Sequence, residues 1–449
     1  MSDPASRLAC SGCGASPPKD EPYPFRCPRA GDDDVDHVLV RSVGPAQVNF
    51  TAHAGSGEPF ARYREMLHSY HRAISGGLRD ADFVDMVERL DGAVAAVEGH
   101  GFVATPFQYS ESLSRALGFE EGGGVWVKDE THNVSGSHKG RHLMGVLLHL
   151  EVARQLGLAD RSERPVLAIA SCGNAALAAA VVAAAGGWPL RVFVPVDADA
   201  GIVARLGDLG AKVVTCPRQP GTAGDPAYAA LRAALAAGAL PFTCQGNENG
   251  LAIEGGETLV YEMVSDLAES GTTLDHVVVQ VGGGALASAC AQAFAEAVAL
   301  GALERVPRNH TVQTLGGHPL ERAYHRVAQL LPSNPGTEDI EQALRKAATQ
   351  RSGYMWPWEV EPKSIAGGIL DDETYDWLAV VGGMLRSGGR PVVVSEQRLA
   401  EALVLGQAAG YRADATGCAG LAGLLELVAG GTVRPDEKVA VLFTGVERQ

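Results

Sequence analysis

The sequence predicts an α/β protein built from two open, mainly parallel three-layer α/β domains, preceded by a small ribbon-like module. Three observations carry this. Eight short runs rich in β-branched residues, "GVWVKDE", "PVLAIAS", "LRVFVPV", "AKVVTCP", "HVVVQVGGG", "HTVQTLG", "PVVVSE" and "KVAVLFTG", recur from residue 124 to 445. They are continuously apolar rather than alternating, as strands buried on both faces are. Ala/Leu-rich helical stretches such as "NAALAAAVVAAAG", "DPAYAALRAALAAG" and "ALASACAQAFAEAVALG" separate them, and strand–helix–strand alternation implies parallel sheets wrapped by helices. Finally, 449 residues suffice for two or three cores at roughly 150 residues each.

In chain order, residues 1–45 form a turn-rich, Cys-containing module. Cys10 and Cys13 in "CSGCG", with Cys27 in "PFRCPRAG", are zinc candidates. A second CxxC knuckle would need a cysteine at position 30, where Ala30 stands, so the fourth ligand would be His37 or one of Asp32 to Asp34. The alternative is a metal-free ribbon. Residues 46–125 are a helical lead-in and part of the larger domain: "PFARYREMLHSYHRAISG" and "DADFVDMVERLDGAVAAVEG" carry apolar residues at helical spacing, each closed by glycine. Residues 126–240 are assigned to a smaller α/β domain and 241–449 to a larger one. Leu331–Asp339 reads as a loop, and no solenoid-period repeat is present.

Composition narrows the function classes. With 46% hydrophobic and 20% charged residues the chain is too apolar for general disorder. A net charge of −16 without a basic block argues against a nucleic-acid partner. The first residues have no signal-peptide pattern, and the longest apolar run, Ala175–Ala185, is short of the roughly 20 residues of a membrane span. A cytoplasmic location with the eight cysteines mostly as thiols is therefore expected.

In open parallel sheets ligands sit at the carboxyl ends of strands, which singles out four strand-to-helix turns. The first, "KDETHNVSGSHKGRH", sets Lys139 at the mouth of a helix, close to its N–H dipoles, where an amine is suited to Schiff-base formation; a phosphate-binding or solvated lysine is the alternative. The second, Ser171-Cys172-Gly173-Asn174, opens an Ala-rich helix and is either a carboxylate-sized anion site or an ordinary helix cap. The third, Gly282-Gly283-Gly284 before Ala285, is a nest of N–H groups for one phosphate; its loose GxGxxA pattern leaves a dinucleotide site as rival. In the fourth, "DATGCAG", Thr416 offers a hydroxyl, and Cys418 suits a small buried hydrophobe.

In this order the four turns resemble the fold type II pyridoxal-phosphate enzymes, the superfamily of tryptophan synthase β chains, threonine synthases and serine/threonine dehydratases. The likeness spans about residues 100–446 and is supported by "LAIEGGETLVYEM" and the terminal "VLFTG". The Cys-containing start further resembles the ribbon in front of some threonine synthases.

The resemblance implies a tryptophan synthase β-like fold, pyridoxal 5'-phosphate as cofactor, an amino-acid substrate and a homodimer. By motif match, Lys139 would carry the cofactor as a Schiff base and act as catalytic base. His138, Gly282, Gly283, Gly284 and Ala285 would serve its phosphate, Asn174 its phenolic oxygen and Thr416 its pyridine nitrogen. Ser135, Ser171, Cys172 and Gly173 would face the substrate. Cys172 stands where a Ser or Thr is usual, and the glycine loop is one residue shorter than the usual tetraglycine.

The implied activity is α,β-elimination giving a 2-oxo acid and ammonia. The alternatives are β- or γ-replacement and, from other classes, a nicotinamide oxidoreductase or a non-catalytic binding protein. A phosphorylated substrate would need a cation, for which Arg141, Lys128 and Arg205 are candidates. The side-chain pocket is sought in "GGHPLERAY" and in Met355–Trp377, whose Trp356, Trp358 and Trp377 are expected in the core, a cover over the site being the alternative.

Overall fold

The structure is a computed structural model that describes residues 5–50, 57–218 and 224–448. Its strands, in chain order, are β1 (Ser6–Cys10), β2 (Leu39–Val43), β3 (Phe107–Tyr109), β4 (Gly124–Asp129), β5 (Leu167–Ala170) and β6 (Leu190–Val194). They continue with β7 (Lys212–Thr215), β8 (Leu240–Pro241), β9 (His276–Gln280), β10 (Arg308–Thr314), β11 (Pro391–Val394) and β12 (Lys438–Phe443). All eight β-branched runs are strands.

They form two parallel sheets. The larger has the order β11-β10-β9-β12-β4-β3 and the smaller β7-β6-β5-β8. Val441 of β12 is in register with Val127 of β4 on one side and Val278 of β9 on the other, and all three valines are buried. The smaller sheet is parallel throughout. Two strands escape sequence reading. β3 is three residues long and pairs antiparallel on the edge of β4, and β8 is two residues ending in Pro241 at the other sheet's edge, where a missing N–H is tolerated.

The expected division at residue 126 is corrected by the pairing: it cuts through β4, which belongs to the larger sheet. The smaller sheet draws its strands from Leu167 to Pro241 alone.

The lead-in also differs. Pro59–Gly76 is not one helix but the helix Pro59–Arg62, a 3-10 turn Arg64–Met66 and the helix His68–Ser75. Leu67 is extended, with φ −99° and ψ 134°. Phe60, Tyr63, Met66 and Leu67 are all buried and would share one face of a continuous helix, so the apolar period does not reveal the break at the extended Leu67; tertiary context overrides helical propensity there. The helix Asp80–Glu98 forms as expected, closed by Gly99 at φ 94°.

The core element is the helix Lys139–Gln155, buried on nearly every face. It lies against the helix Ala252–Ser270, and a Cβ on Gly145 would come within 2.9 Å of the Gly255 Cα. Only glycine permits this approach. The N-terminal module pairs β1 with β2 antiparallel, Cys10 opposite Leu39, and is tied to the body by Gly250 N–H to Phe25 O (2.9 Å) and Asp36 N–H to Ala348 O (2.7 Å). Among the described residues no helix is long and apolar enough to cross a membrane.

Candidate active site

Since β4, β5 and β9 run parallel within their sheets, the turns leaving them carry the chemistry; the fourth, at Thr416, instead joins the helices Glu396–Ala408 and Ala419–Ala429, which corrects its reading as a strand-to-helix turn. After β4, Asp129 Oδ1 accepts from the Thr131 N–H (3.0 Å) and hydroxyl (2.7 Å), and the chain enters a short 3-10 turn. There Ser135 has φ 60° and ψ 19°, the one non-glycine positive φ among the described residues. Such a conformation costs about 1–3 kcal/mol and persists only where the surroundings enforce it. Here Ser135 N–H donates to Glu98 Oε1 (3.0 Å) and its carbonyl accepts from Arg448 (2.7 Å). The hydroxyls of Ser135 and Ser137 are buried without a protein partner.

Lys139 is half-buried at the first position of its helix. Its amine lies within electrostatic reach of Asp371, Asp376, His138 and Cys244. His138 is buried, and its Nδ1–H donates to Thr444 O at 3.2 Å, because a carbonyl can only accept. Burial, then the charge of Lys139, hold the ring well below the usual histidine range and so neutral. This tautomer leaves a lone pair on Nε2, so His138 would donate to a phosphate only after taking up a second proton.

One turn further along, Arg141 is fully buried and neutralised. Its guanidinium donates to Glu130 Oε2 (2.9 Å) and Glu262 Oε1 (2.7 Å). Lys128 Nζ donates to Glu262 Oε2 (2.5 Å) and Thr105 O (2.8 Å). Burial pushes the Glu130 carboxyl up, but Arg141 and Lys128 outweigh it and hold it below its ordinary range. The expectation that Arg141 or Lys128 serves a substrate phosphate is thereby corrected: both are committed to a neutral internal cluster. Arg205 is 3.6 Å from Glu98 and lines, with Ser135 and Arg448, a groove of roughly 520 Å³.

The glycine turn follows β9. Gly284 has φ 100° and gives the helix Ala285–Ala299 no side-chain cap, so first-turn N–H groups remain available to an anion. A Cβ on Gly282 would meet Asp371 Oδ2 at 2.5 Å and Ile369 Cα at 2.9 Å. The Asp371 carboxyl lies against this turn, and the Gly283 N–H favours its charged form. An anion at this cradle is what the donor set selects, and Asp371 is its stand-in: the residues fit a phosphate. Burial raises Asp371 to about 6, against the pull of Lys139 and the Gly283 N–H.

After β5, Gly173 likewise leaves the helix Asn174–Gly186 without a side-chain cap, so the ordinary-cap alternative for Ser171 and Asn174 does not hold. Ser171 Oγ accepts from Gly173 N–H at 3.5 Å. Asn174 Oδ1 accepts from Arg448, which leaves its NH₂ as a donor beside Gly445. Cys172 is solvent-open; desolvation on its inner side, with Asp197, Asp225 and Asp371, raises its thiol above the usual range. Thr416 Oγ1 accepts from Gly368 N–H at 3.0 Å, leaving its proton free to donate. Cys418 is fully buried in the core.

The wall that faces the glycine turn, Ile369–Asp376, lies within the Met355–Trp377 segment that the sequence offers for the side-chain pocket, though sequence reading singles out none of Asp371, Thr374 and Asp376. Thr374 Oγ1 donates to Gly282 O (3.0 Å) and Asp376 N–H to Gly283 O (3.0 Å). The only signal was the density of acids in "DDETYD". Of the three tryptophans, Trp377 is core, its Nε1–H on Asp36 Oδ1 at 3.0 Å. Trp356 and Trp358 are half-exposed and flank the Arg322 guanidinium at 3.6 and 5.2 Å. For these two the core expectation is corrected by their partial exposure, the Arg322 cation covering ring surface that core packing would otherwise take.

Asp376 is 2% exposed with Oδ1 unpartnered, and burial pushes its carboxyl from 3.8 to about 7. A raised folded-state value means the folded protein holds the proton more tightly than the unfolded chain. The resulting stability is complete below about pH 4 and is lost as pH rises through about 7. The Asp376→Asn protein should therefore gain thermal stability relative to the parent as pH rises from 4 to 8, read as the difference between the two melting-temperature profiles. A constant difference would refute the assignment.

A family model described as pyridoxal-phosphate dependent enzyme matches residues 100–445. Threonine synthase of Methanocaldococcus jannaschii is 25% identical over 343 residues, covering 76% of this chain and 74% of that protein. Cysteate synthase of Methanosphaerula palustris is 27% identical over 301 residues, 66% of this chain and 65% of that one. Among solved structures, a threonine deaminase from T.th. aligns with a TM-score of 0.56 at 22% identity, covering 81% of this chain and 98% of its own. Diaminopropionate ammonia lyase from Escherichia coli aligns with a TM-score of 0.58 at 16% identity, covering 82% and 89%.

Proposed function

Because the chain belongs to the pyridoxal-phosphate dependent enzyme family, we propose that it is an amino-acid lyase catalysing α,β-elimination, with a 2-oxo acid and ammonia as products. Family membership displaces the nicotinamide alternative. The observation that carries elimination over release of a substrate phosphate is the charge of the cleft: Asp371, Asp376, Asp197 and Asp225 surround Lys139 and Cys172, while Arg141 and Lys128 are internally neutralised. With those two cations committed, Asp197 and Asp225 beside Cys172 disfavour a phosphorylated side chain relative to a neutral or cationic one.

Lys139 would hold the cofactor and, when free, take the substrate's Cα proton on Nζ. Bound pyridoxal phosphate supplies the sink for the electron pair left at Cα. Gly282, Gly283, Gly284 and Ala285 would hold its phosphate beside His138, and the Asn174 NH₂ its phenolic oxygen. Thr416 would offer its O–H as a hydrogen-bond donor to the pyridine nitrogen. A neutral hydroxyl, unlike a carboxylate, would not stabilise a pyridinium and so would limit the sink. That favours prompt loss of a β leaving group over racemisation or transamination. Ser171, Gly173 and the open helix end would take the substrate carboxylate, with Ser135 and the protonated Cys172 thiol at its flanks.

The test is a panel of serine, threonine, 2,3-diaminopropionate and O-phosphohomoserine, scored for ammonia and 2-oxo acid. Turnover of one of the first three without a co-substrate, and none of the phosphate ester, is expected. The second reading, β- or γ-replacement, has the similarity to threonine and cysteate synthases in its favour; product that forms only with an added nucleophile, or from the phosphate ester, would establish it instead. The proposal includes a cytoplasmic homodimer, and light scattering should give twice the 46.8 kDa chain mass.

A further inference from the structure

The N-terminal module brings together four side chains that the catalytic reading does not use. The Sγ atoms of Cys10, Cys13 and Cys27 and a ring nitrogen of His37 all lie within 4.8 Å of one another. Cys13 Sγ is 3.5 Å from Cys27 Sγ, and Cys10 Sγ is 3.6 Å from His37 Nδ1. Bond lengths of about 2.3 Å to sulfur and 2.0–2.1 Å to nitrogen place the ligand atoms of a tetrahedral zinc ion roughly 3.5–3.8 Å apart. These two separations are edges of such a tetrahedron.

The surroundings are those of a ligand set. Asp33 Oδ1 lies 3.0 Å from His37 Nε2. A carboxylate only accepts, so Nε2 carries the proton and the Nδ1 lone pair is turned toward Cys10. A carboxylate behind the far nitrogen is the partner that metal-bound histidines have. Backbone N–H groups point at the sulfurs, Cys13 N–H to Cys10 Sγ (3.5 Å) and Arg29 N–H to Cys27 Sγ (3.4 Å).

Turn chemistry makes the knuckle. Gly14 has φ 71°, and a Cβ on Gly12 would collide with the Asp36 carbonyl. The β1–β2 register then sets Cys10 opposite Leu39, two residues beyond His37. Asp34, by contrast, is engaged with Ser352 at 2.8 Å, so of the fourth ligands the sequence allowed, His37 is the one the fold supplies.

We propose that Cys10, Cys13, Cys27 and His37 bind one structural Zn²⁺, oriented by Asp33. Three thiolates and one imidazole with no open position suit a structural rather than a hydrolytic ion. The ion would brace the catalytic body, because the residue preceding His37, Asp36, holds Trp377 Nε1 and the Arg351 guanidinium (3.3 Å), and Trp377 follows the wall residue Asp376.

Metal analysis of the full-length protein, purified under reducing conditions without added metal, should return one zinc per chain. Cys27→Ser and His37→Ala should retain less than a tenth of it, and Asp33→Asn should weaken affinity about 10–100-fold. Cobalt added to chelator-treated parent protein should give the intense visible bands of a tetrahedral thiolate site, a readout that stands even where a variant fails to fold. A parent protein that holds no zinc and gives no such cobalt spectrum, or one isolated with a Cys13–Cys27 disulfide, overturns the proposal. So does zinc retained equally by Cys27→Ser and His37→Ala.

Discussion

Lys139→Ala is expected to reduce turnover by at least about 10³-fold while leaving a folded protein, and to abolish the visible chromophore that borohydride would otherwise fix to the chain. The magnitude is that of a lost, positioned general base, about 10²–10⁴-fold, together with loss of the covalent tether. Folding should survive because the ion pairs that organise the interior run through Arg141, Lys128 and Arg41. The change also removes the cation that favours ionisation of Asp371 and Asp376, so both carboxyls should titrate higher in the variant. The decisive measurements are absorbance with added pyridoxal phosphate and turnover on the best substrate. A variant as active as the parent would show that Lys139 is neither the catalytic base nor the cofactor's tether.

The second large effect falls on stability. Arg141→Met should lower unfolding free energy by about 3–5 kcal/mol, the usual result of taking one partner from a buried pair. Arg141 bridges Glu130 and Glu262 and also donates to Thr258 Oγ1 at 3.1 Å. Without it two carboxylates share the single ammonium of Lys128 in a site at most 3% exposed. Adding Glu130→Gln should recover part of the loss, because that position then needs no cation. Denaturant midpoints of parent, single and double variants decide it; a single variant within about 1 kcal/mol of the parent would mean that water reaches the cluster.

Much of this architecture is legible because parallel strands buried on both faces leave an uninterrupted β-branched signature, and all eight such runs pair in the two sheets. Turns are legible for a similar reason: Gly284 at φ 100° and Gly99 at φ 94° are local requirements with a local residue choice. What stays hidden is set by contacts distant in sequence. Arg448 reaches Asn174 across 274 positions, and Asp376 meets Gly246 across 130. The burial that consumes Arg141 and Lys128 is equally silent in a one-dimensional reading, where both resemble free cations near a site. In the sequence His37 is one of several possible fourth ligands, and only the strand register and Asp33 single it out.

The strand order has a consequence for biosynthesis. β12 lies between β9 and β4 in the larger sheet, yet the ribosome makes it after every other strand. At about 5–20 residues per second, the interval from Gln280 to Lys438 takes roughly 8–30 s, during which the facing edges of β9 and β4 wait without their shared partner. Unpaired edges of this kind are templates for wrong pairing. The smaller sheet, finished by Pro241, can close early in translation, whereas the larger one depends on a strand emerging last. Expression of this enzyme should accordingly be limited less by the stability of the finished fold than by how well those two edges are shielded while the chain is still growing.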